Sequence, residues 1–319
     1  MVQTTALANN SKVLIAVPWI KTATNVHYTD SFCKQPFLQV QILDIFKDRI
    51  DFPIRAITRD ISELESNEYI KYYSANASDT SALEKILKGV DSVVALTSKD
   101  LDLKGLIDAC VNVGVKLFLP SEFGSDHRFS RFRNTFAAKR HNALYARSQG
   151  LKTVCLQTGK FMEFSLGEPL INGIDKGAWT YRPVDGGHHK QSYTSLQDIG
   201  YSIVSLLTYP KPRQLPDFVF VQGDSKSANN MVEIFERYHG ALLRVLPPVD
   251  RETAIDVAAQ VDVKPNPTMD DFFLIIQAEA IMPYKAIDFS EKHMNDLVNP
   301  SLFTWQTVES LAEAFYSHD

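Results

Sequence analysis

The sequence predicts an α/β protein: a doubly wound parallel sheet in the first half of the chain, followed by a smaller C-terminal α+β lobe. Three observations carry this prediction. β-rich runs alternate with helical patterns as far as residue 160, and strands separated by helices form right-handed crossovers and a parallel sheet. The run DSVVALTS (91–98) is nearly continuous in apolar and β-branched residues, the pattern of a strand buried on both faces. Beyond residue 160 the pattern is less regular and richer in Pro and Gly.

The elements follow in order. KVLIAV (12–17) reads as a strand, SFCKQPFLQVQILDIFKDR (31–49) as mostly helix, and FPIRAITR (52–59) and IKYYSA (70–75) as strands. DTSALEKILKGV (79–90) opens on an Asp N-cap and places Leu83, Ile86 and Leu87 on one face. DLDLKGLIDACVNVGV (100–115) is a helix that Gly114 terminates. VKLFLP (115–120) is a strand, NTFAAKRHNALYARSQG (134–150) a helix ending at Gly150, and LKTVCLQTG (151–159) a strand. In the second half, AWTYRPVDGGHHKQSYTS (178–195) reads as a hairpin turning at Asp185-Gly186-Gly187. A helix (197–208), a strand (218–222), a helix from Ser227 and a long helix near 268–282 come next. The tail TWQTVESLAEAFYSH offers Thr304 and Thr307 as N-caps.

Composition bounds the function. The 319 residues suit two units, expected at 1–160 and 161–319, the second being mainly a substrate lobe with some segments returning to the first. With 45% hydrophobic and 22% charged residues the chain is neither disordered nor fibrous. A formal charge of −5 argues against nucleic-acid and anionic-membrane partners. No apolar run reaches membrane-spanning length, and the first twelve residues lack the apolar core of a signal peptide, so a cytoplasmic location is expected. Cys33, Cys110 and Cys155 are odd in number and lack metal or redox spacing, which reads as reduced thiols.

His188 and His189 are adjacent and point to opposite faces of a strand, so they are poor co-ligands, and no metal is expected. HRFSRFR (127–133) mixes Arg with Phe but reads as a solvated loop in a chain of this charge. Neither a GxSxG elbow nor a phosphate-binding P-loop motif occurs.

A more specific signal begins at KLFLPSEFGSD (116–126). It continues through RAITRD (55–60), LKGVDSVVALTS (87–98), LIDACVNVGVK (106–116), AAKRHNALYARSQGLKTVCLQTGKFMEF (137–164), DIGYSIVSLLTYP (198–210) and FTWQTVESLAEAFY (303–316). In these segments the chain resembles the NmrA-like, isoflavone-reductase-like branch of the atypical short-chain dehydrogenases. The resemblance implies a Rossmann-type domain, a substrate lobe over the carboxyl ends of its strands, NADP(H), and small aromatic or polyketide-type substrates. It makes Lys139 the catalytic acid or base. Thr135 stands where typical short-chain dehydrogenases carry the Tyr four residues earlier. A lysine does this work near neutral pH only when burial or a nearby cation lowers its pKa. Ser121, on the loop at the carboxyl end of a strand, is placed to orient a substrate oxygen. Cofactor contacts are implied at Arg59, Thr97, Ser98, Phe123 and Gly159, with Arg59 suited to a 2′-phosphate. Substrate contacts are expected at Phe123, Phe161, Met162, Phe164, Met282 and Tyr284.

The chain departs from that family after its first strand, where a glycine-rich turn lets backbone N–H groups approach the pyrophosphate. Here PWIKTATNVHYTDSF (18–32) contains no glycine. Either Lys21, Thr22, Thr24 and Asn25 hold the phosphates by side chains, or the segment fills the groove. The bulk of Trp19 and Ile20 favours the second reading, so the expectation is of no cofactor, with NADP(H) as the alternative. The expected function is accordingly non-redox isomerisation, dehydration or cyclisation of a small aromatic or polyketide-type metabolite at Lys139. An NADPH-dependent reductase and a non-catalytic regulator are the alternatives, and a homodimer is left open.

Overall fold

The computed structural model describes residues 11–16, 50–62, 64–97 and 99–317. The segment 18–32, the helix expected at 31–49, Cys33 and Ser98 lie outside the described residues. The chain forms two units, each assembled from three stretches. The first is Met1–Glu122, Ala138–Cys155 and Gly200–Phe218, and the second is Phe123–Ala137, Leu156–Ile199 and Val219–Asp319.

The first unit is built on a five-stranded sheet of β1 (Ser11–Ala16), β2 (Ile50–Thr58), β3 (Ile70–Ser74), β4 (Ser92–Ala95) and β5 (Leu117–Leu119), in the order β3-β2-β1-β4-β5. Every pairing in it is parallel. The strand order reverses beside β1, and a doubly wound sheet binds ligands in the crevice that such a reversal opens at the carboxyl ends of the strands. The β1–β2 register shifts between Lys12 and Leu14, where β2 carries Pro53; proline has no N–H to give to the ladder. β4 is buried along its whole length, as its apolar run requires.

Helix α1 (Thr80–Leu87) is capped by Asp79, whose carboxylate accepts from the Ala82 N–H at 3.0 Å. α2 (Lys104–Val113) starts later than the pattern suggests and ends at Gly114, which adopts the left-handed conformation at φ 81°. Gly105 in α2 packs so close to the preceding turn that a Cβ would lie 2.5 Å from the Ala77 carbonyl oxygen. α3 (Ala137–Ser148) turns Asn142, Ala143 and Ala146 inward. The core gathers Leu83 and Leu87 of α1, Val93 of β4, Leu106, Ile107 and Cys110 of α2, Phe118 of β5 and Ala146 of α3. Cys110 and Cys155 are buried thiols, and burial pushes each up to about 12. β6 (Cys155–Gln157) follows α3; its first N–H donates to the Asp217 carbonyl at 2.9 Å.

The second unit contains β7 (Lys160–Phe161), α4 (Met162–Gly167), β8 (Ile174–Asp175), β9 (Thr180–Tyr181), β10 (Lys190–Thr194) and α5 (Leu196–Leu207), the last of which continues into the first unit. It continues with β11 (Phe218–Phe220), β12 (Asp224–Ser227), α6 (Ala228–His239), β13 (Arg244–Val245), α7 (Arg251–Asp262), α8 (Met269–Ala280), α9 (Asn295–Val298) and α10 (Val308–Tyr316). The small sheets are ordered β12-β10-β7, β11-β6 and β13-β9-β8.

The hairpin expected over 178–195 does not form. β9 and β10 join different sheets: β9 pairs antiparallel with β8, and β10 pairs antiparallel with β12 and parallel with β7. Asp185-Gly186-Gly187 makes a 3-10 turn, with Asp185 at φ 46° and the two glycines at 76° and 71°, and so redirects the chain instead of reversing it. The hairpin lies one step earlier, between β8 and β9.

Helix starts were more legible. Ser227, Thr268 and Thr307 each cap their helix in a reciprocal box with the residue three positions on. α7 is not foreseen by hydrophobic spacing, since it buries only Ala258 and Val261. Among the described residues no helix is long and apolar enough to cross a membrane.

Candidate functional site

In the first unit the site is built from the loops that leave β4 and β5 and from the first turns of α3. Thr97 follows β4 and Ser121 follows β5, and the two loops are tied together. The Ser121 hydroxyl donates to the Thr97 carbonyl at 2.8 Å and accepts from the Thr97 N–H at 3.3 Å. Ser121 therefore locks two strand ends together, a positional role that the sequence does not announce.

Lys139 lies on the same face of α3 as Asn142, Ala143 and Ala146, because residues three, four and seven apart share a helix face. That inward face draws the lysine against the protein, and its ammonium donates to the Glu122 carbonyl oxygen at 2.7 Å. Burial holds its pKa below the ordinary lysine value; Lys99 adds to the depression, while the negative charges of Glu122 and Asp100 oppose it. One turn along, Asn142 fixes the start of α2: its side-chain oxygen accepts from the Leu103 N–H at 3.0 Å and its amide donates to the Leu101 carbonyl at 2.8 Å. This pair of bonds ties α3, one turn from Lys139, to the segment that opens α2.

Arg59 is exposed at the carboxyl end of β2, where its carbonyl oxygen accepts from the Ser74 hydroxyl at 2.8 Å. β2, β4 and β5 thus deliver Arg59, Thr97 and Ser121 to one edge of a parallel sheet.

In the second unit Phe123 is half-buried on the loop that continues from Glu122. Gly159 is held by its own N–H and that of Thr158, both donating to the Gly124 carbonyl, at 3.0 and 3.1 Å. Its φ is 65°, and a Cβ there would stand 2.2 Å from the Ser192 carbonyl oxygen, so the position admits only glycine. Phe161 is half-buried beside it in β7. Phe164, Met282 and Tyr284 belong to one apolar cluster, in which Phe164 meets Phe273 edge-on with ring centroids 5.8 Å apart. Met162 is separate: it is fully buried and packs with Leu166, Tyr193 and Met231.

Several contacts within this unit escaped the sequence reading. Tyr284 donates to the Glu279 carboxylate at 3.1 Å, and the Ser130 hydroxyl donates to its other oxygen. Burial, joined by the Glu279 charge, raises the Tyr284 phenol well above its ordinary value. The only signal was an acid inside an apolar helix, FFLIIQAEA. Thr135 is anchored on Asp262, its hydroxyl donating to the carboxylate at 2.7 Å, which gives it a structural task in place of a tyrosine's proton relay. HRFSRFR is more than a solvated loop, since Phe132 is a core residue and Arg128 is paired with the buried Asp126 at 2.8 Å.

The chain can be placed among known proteins. The comparison with curated proteins gives no match. Solved structures share its fold over almost all of both chains, among them three reductases and oxidoreductases. Leucoanthocyanidin reductase from Vitis vinifera, in a binary complex with NADPH, is 19% identical with a TM-score of 0.71, covering 96% of this chain and 100% of its own. An isoflavone reductase is 18% identical with a TM-score of 0.70 at the same coverage. The NADPH-dependent quinone oxidoreductase of Escherichia coli, complexed with NADPH, is 13% identical with a TM-score of 0.67, covering 95% of this chain and 99% of its own.

These complexes overturn the expectation of no cofactor. That expectation rested on the glycine-free segment 18–32 alone, which lies outside the described residues. The parallel sheet, its strand reversal beside β1, and Arg59 and Thr97 at its carboxyl edge are all present. The model of the NmrA-like family matches residues 41–261, well over half of the sequence, and the chain belongs to that family.

Proposed function

We propose that the chain is an NADP(H)-dependent oxidoreductase of small-molecule metabolism, with Lys139 as its acid–base group. The observation that carries this reading is the Lys139 ammonium, fixed on the Glu122 carbonyl at 2.7 Å and depressed in pKa by burial. The NADPH complexes of proteins with the same fold support the cofactor. Arg59 would hold the 2′-phosphate, because a guanidinium fork suits it. Thr97 would line the dinucleotide crevice at the end of β4. Bound NADPH would supply a hydride.

Lys139 Nζ would hold the proton that a substrate oxygen takes up on reduction and would orient that oxygen beforehand. Phe123, Phe161, Phe164 and Tyr284 favour a small aromatic or polyketide-type substrate with a carbonyl or quinone group. A second reading concerns the reaction alone: the same lysine would serve isomerisation, dehydration or cyclisation. The observation on its side is the lysine itself, held on the Glu122 carbonyl, which can move a proton without a hydride donor.

Calorimetric titration of the full chain with NADPH, with NADH as the control, tests the cofactor. Micromolar binding that prefers NADPH and is lost in Arg59→Ala is expected; equal or absent binding of both would overturn the assignment. Loss of reduced-nicotinamide absorbance with aromatic carbonyl and quinone substrates then separates reduction from the second reading.

A further inference from the structure

In the second unit a small cavity lies among β7, the turn Pro169–Asn172, β10 and α8. Its volume is about 20 Å³, and its polar lining is Lys160, Asn172, Arg182, His189, Gln191 and Gln277. That is room for one water-sized occupant. Among the described residues, no acidic side chain lines it.

Lys160 is 5% exposed. Because β7 alternates its side chains across the strand, this lysine points away from the Gly159 and Phe161 side. Two of its three N–H groups have partners, the Ile171 carbonyl at 3.0 Å and the Asn172 side-chain oxygen at 2.9 Å. Both partners are neutral. Burial alone acts on its pKa, with no described charge opposing it.

The Asn172 amide has a fixed orientation, since its oxygen accepts from Lys160 and also from the Tyr193 hydroxyl at 2.8 Å. Its nitrogen is thereby turned the other way, and among the described residues it is a buried donor with no acceptor. Gln191, 4% exposed, likewise has an unbonded side-chain oxygen, and rotation of its amide presents the nitrogen instead.

Below about pH 7, where Lys160 holds its proton, the cavity thus carries an uncompensated ammonium and a donor without an acceptor. Each is costly in a buried place, and one negatively charged acceptor relieves both. We propose that the cavity is a binding site for a small monovalent anion of the halide kind, held by Lys160 Nζ, Asn172 Nδ2 and the rotated Gln191 amide, with the exposed Arg182 on its wall. A water molecule would satisfy the orphaned amides but leave the protonated lysine without a counter-charge, so below about pH 7 the charge favours the anion.

Crystals of the full chain grown in bromide provide the direct test. In crystals grown below pH 7, anomalous density inside the cavity, against Lys160 Nζ and Asn172 Nδ2, is expected in the wild type and is expected to be absent in Gln191→Glu, whose carboxylate supplies the counter-charge covalently. In solution, at fixed ionic strength with gluconate as the replacement anion, chloride and bromide should raise the wild-type Tm saturably. Lys160→Met and Gln191→Glu should show no such rise; Gln191→Glu decides the matter if Lys160→Met folds poorly. A bromide-free cavity with a halide-independent Tm overturns the proposal. So does halide stabilisation that persists in Gln191→Glu.

Discussion

The Lys139 ammonium donates to the main-chain carbonyl of Glu122 across 2.7 Å, on the loop that leaves the last strand of the parallel sheet. A main-chain acceptor cannot titrate or swing away, so it aims the lysine without fixing its proton. The charge state is left to burial, which lowers the pKa, and to Lys99, which lowers it further against Glu122 and Asp100.

Replacing Lys139 by Met should therefore lower turnover on any reduced substrate by about 100-fold or more while leaving Tm within a degree or two of wild type. Acting as an acid, the lysine is competent below its pKa. The rate should then fall as pH rises through a value under the ordinary 10.5. The pH–rate profile of the wild type, compared with Lys139→Arg, checks both the limb and its owner.

Asn142 should be more costly to lose than its distance from the chemistry suggests. Asn142→Ala leaves the Leu103 N–H and the Leu101 carbonyl without their side-chain partner. About 1–3 kcal/mol of stability should go for each group left unsatisfied, read as a lower urea midpoint. Turnover in the surviving folded fraction should also fall, because α3 sets the position of Lys139.

Gly159→Ala should destabilise the protein by at least about 2 kcal/mol, combining a positive φ with a collision against backbone. Its Cβ would stand 2.2 Å from the Ser192 carbonyl. Gly89→Ala is the control: it shares the positive φ, at 77°, with nothing within 4 Å, and should cost less. Thermal melts of the two variants side by side test the difference.

Lys160 and Glu163 should give opposite slopes of stability against pH. Burial lowers Lys160 from 10.5 to about 7, so its folding penalty is complete below pH 7 and disappears as pH climbs towards the unfolded value. In halide-free buffer Lys160→Met should gain most over wild type in acid and lose that gain in alkali. Burial raises Glu163 from 4.5 to about 7 despite the Leu196 N–H it accepts. Its penalty is absent below pH 4.5 and grows until pH 7, so the gain of Glu163→Gln should increase with pH. Urea denaturation across that range measures both slopes.

What the sequence disclosed follows the range of the forces involved. Asp79, Gly114, Ser227, Thr268 and Thr307 end or begin helices through bonds to residues three or four positions away, and each could be read directly. The buried run of β4 could be read because both faces of that strand are covered. The false hairpin at 178–195 shows the limit: whether β9 pairs with β10 depends on β8, β12 and β7, which lie elsewhere in the chain. The site divides in the same way. Lys139, Arg59 and Gly159 were legible as residue types in a recognisable order. The Glu122 carbonyl, the Asn142 bridge and the Ser130–Glu279–Tyr284 group were not, because a backbone acceptor has no letter of its own and buried polar partners are chosen by packing. The cofactor is hidden for a related reason: one glycine-free loop is visible in the residues, whereas the parallel sheet that forms the crevice is assembled only by the fold.

The three-stretch construction of each unit has a consequence for how the protein is made. The first unit requires Gly200–Phe218 for completion, and the second opens at Phe123 yet also draws on the stretch from Val219 onward. On the ribosome, where domains commonly fold in turn as they emerge, neither half of this molecule is whole when the other begins. The strands β1 to β5 emerge well before Gly200–Phe218, the last stretch of their unit. The nascent chain is therefore expected to lean on chaperones throughout its synthesis, and no single cut should release an autonomously folding half.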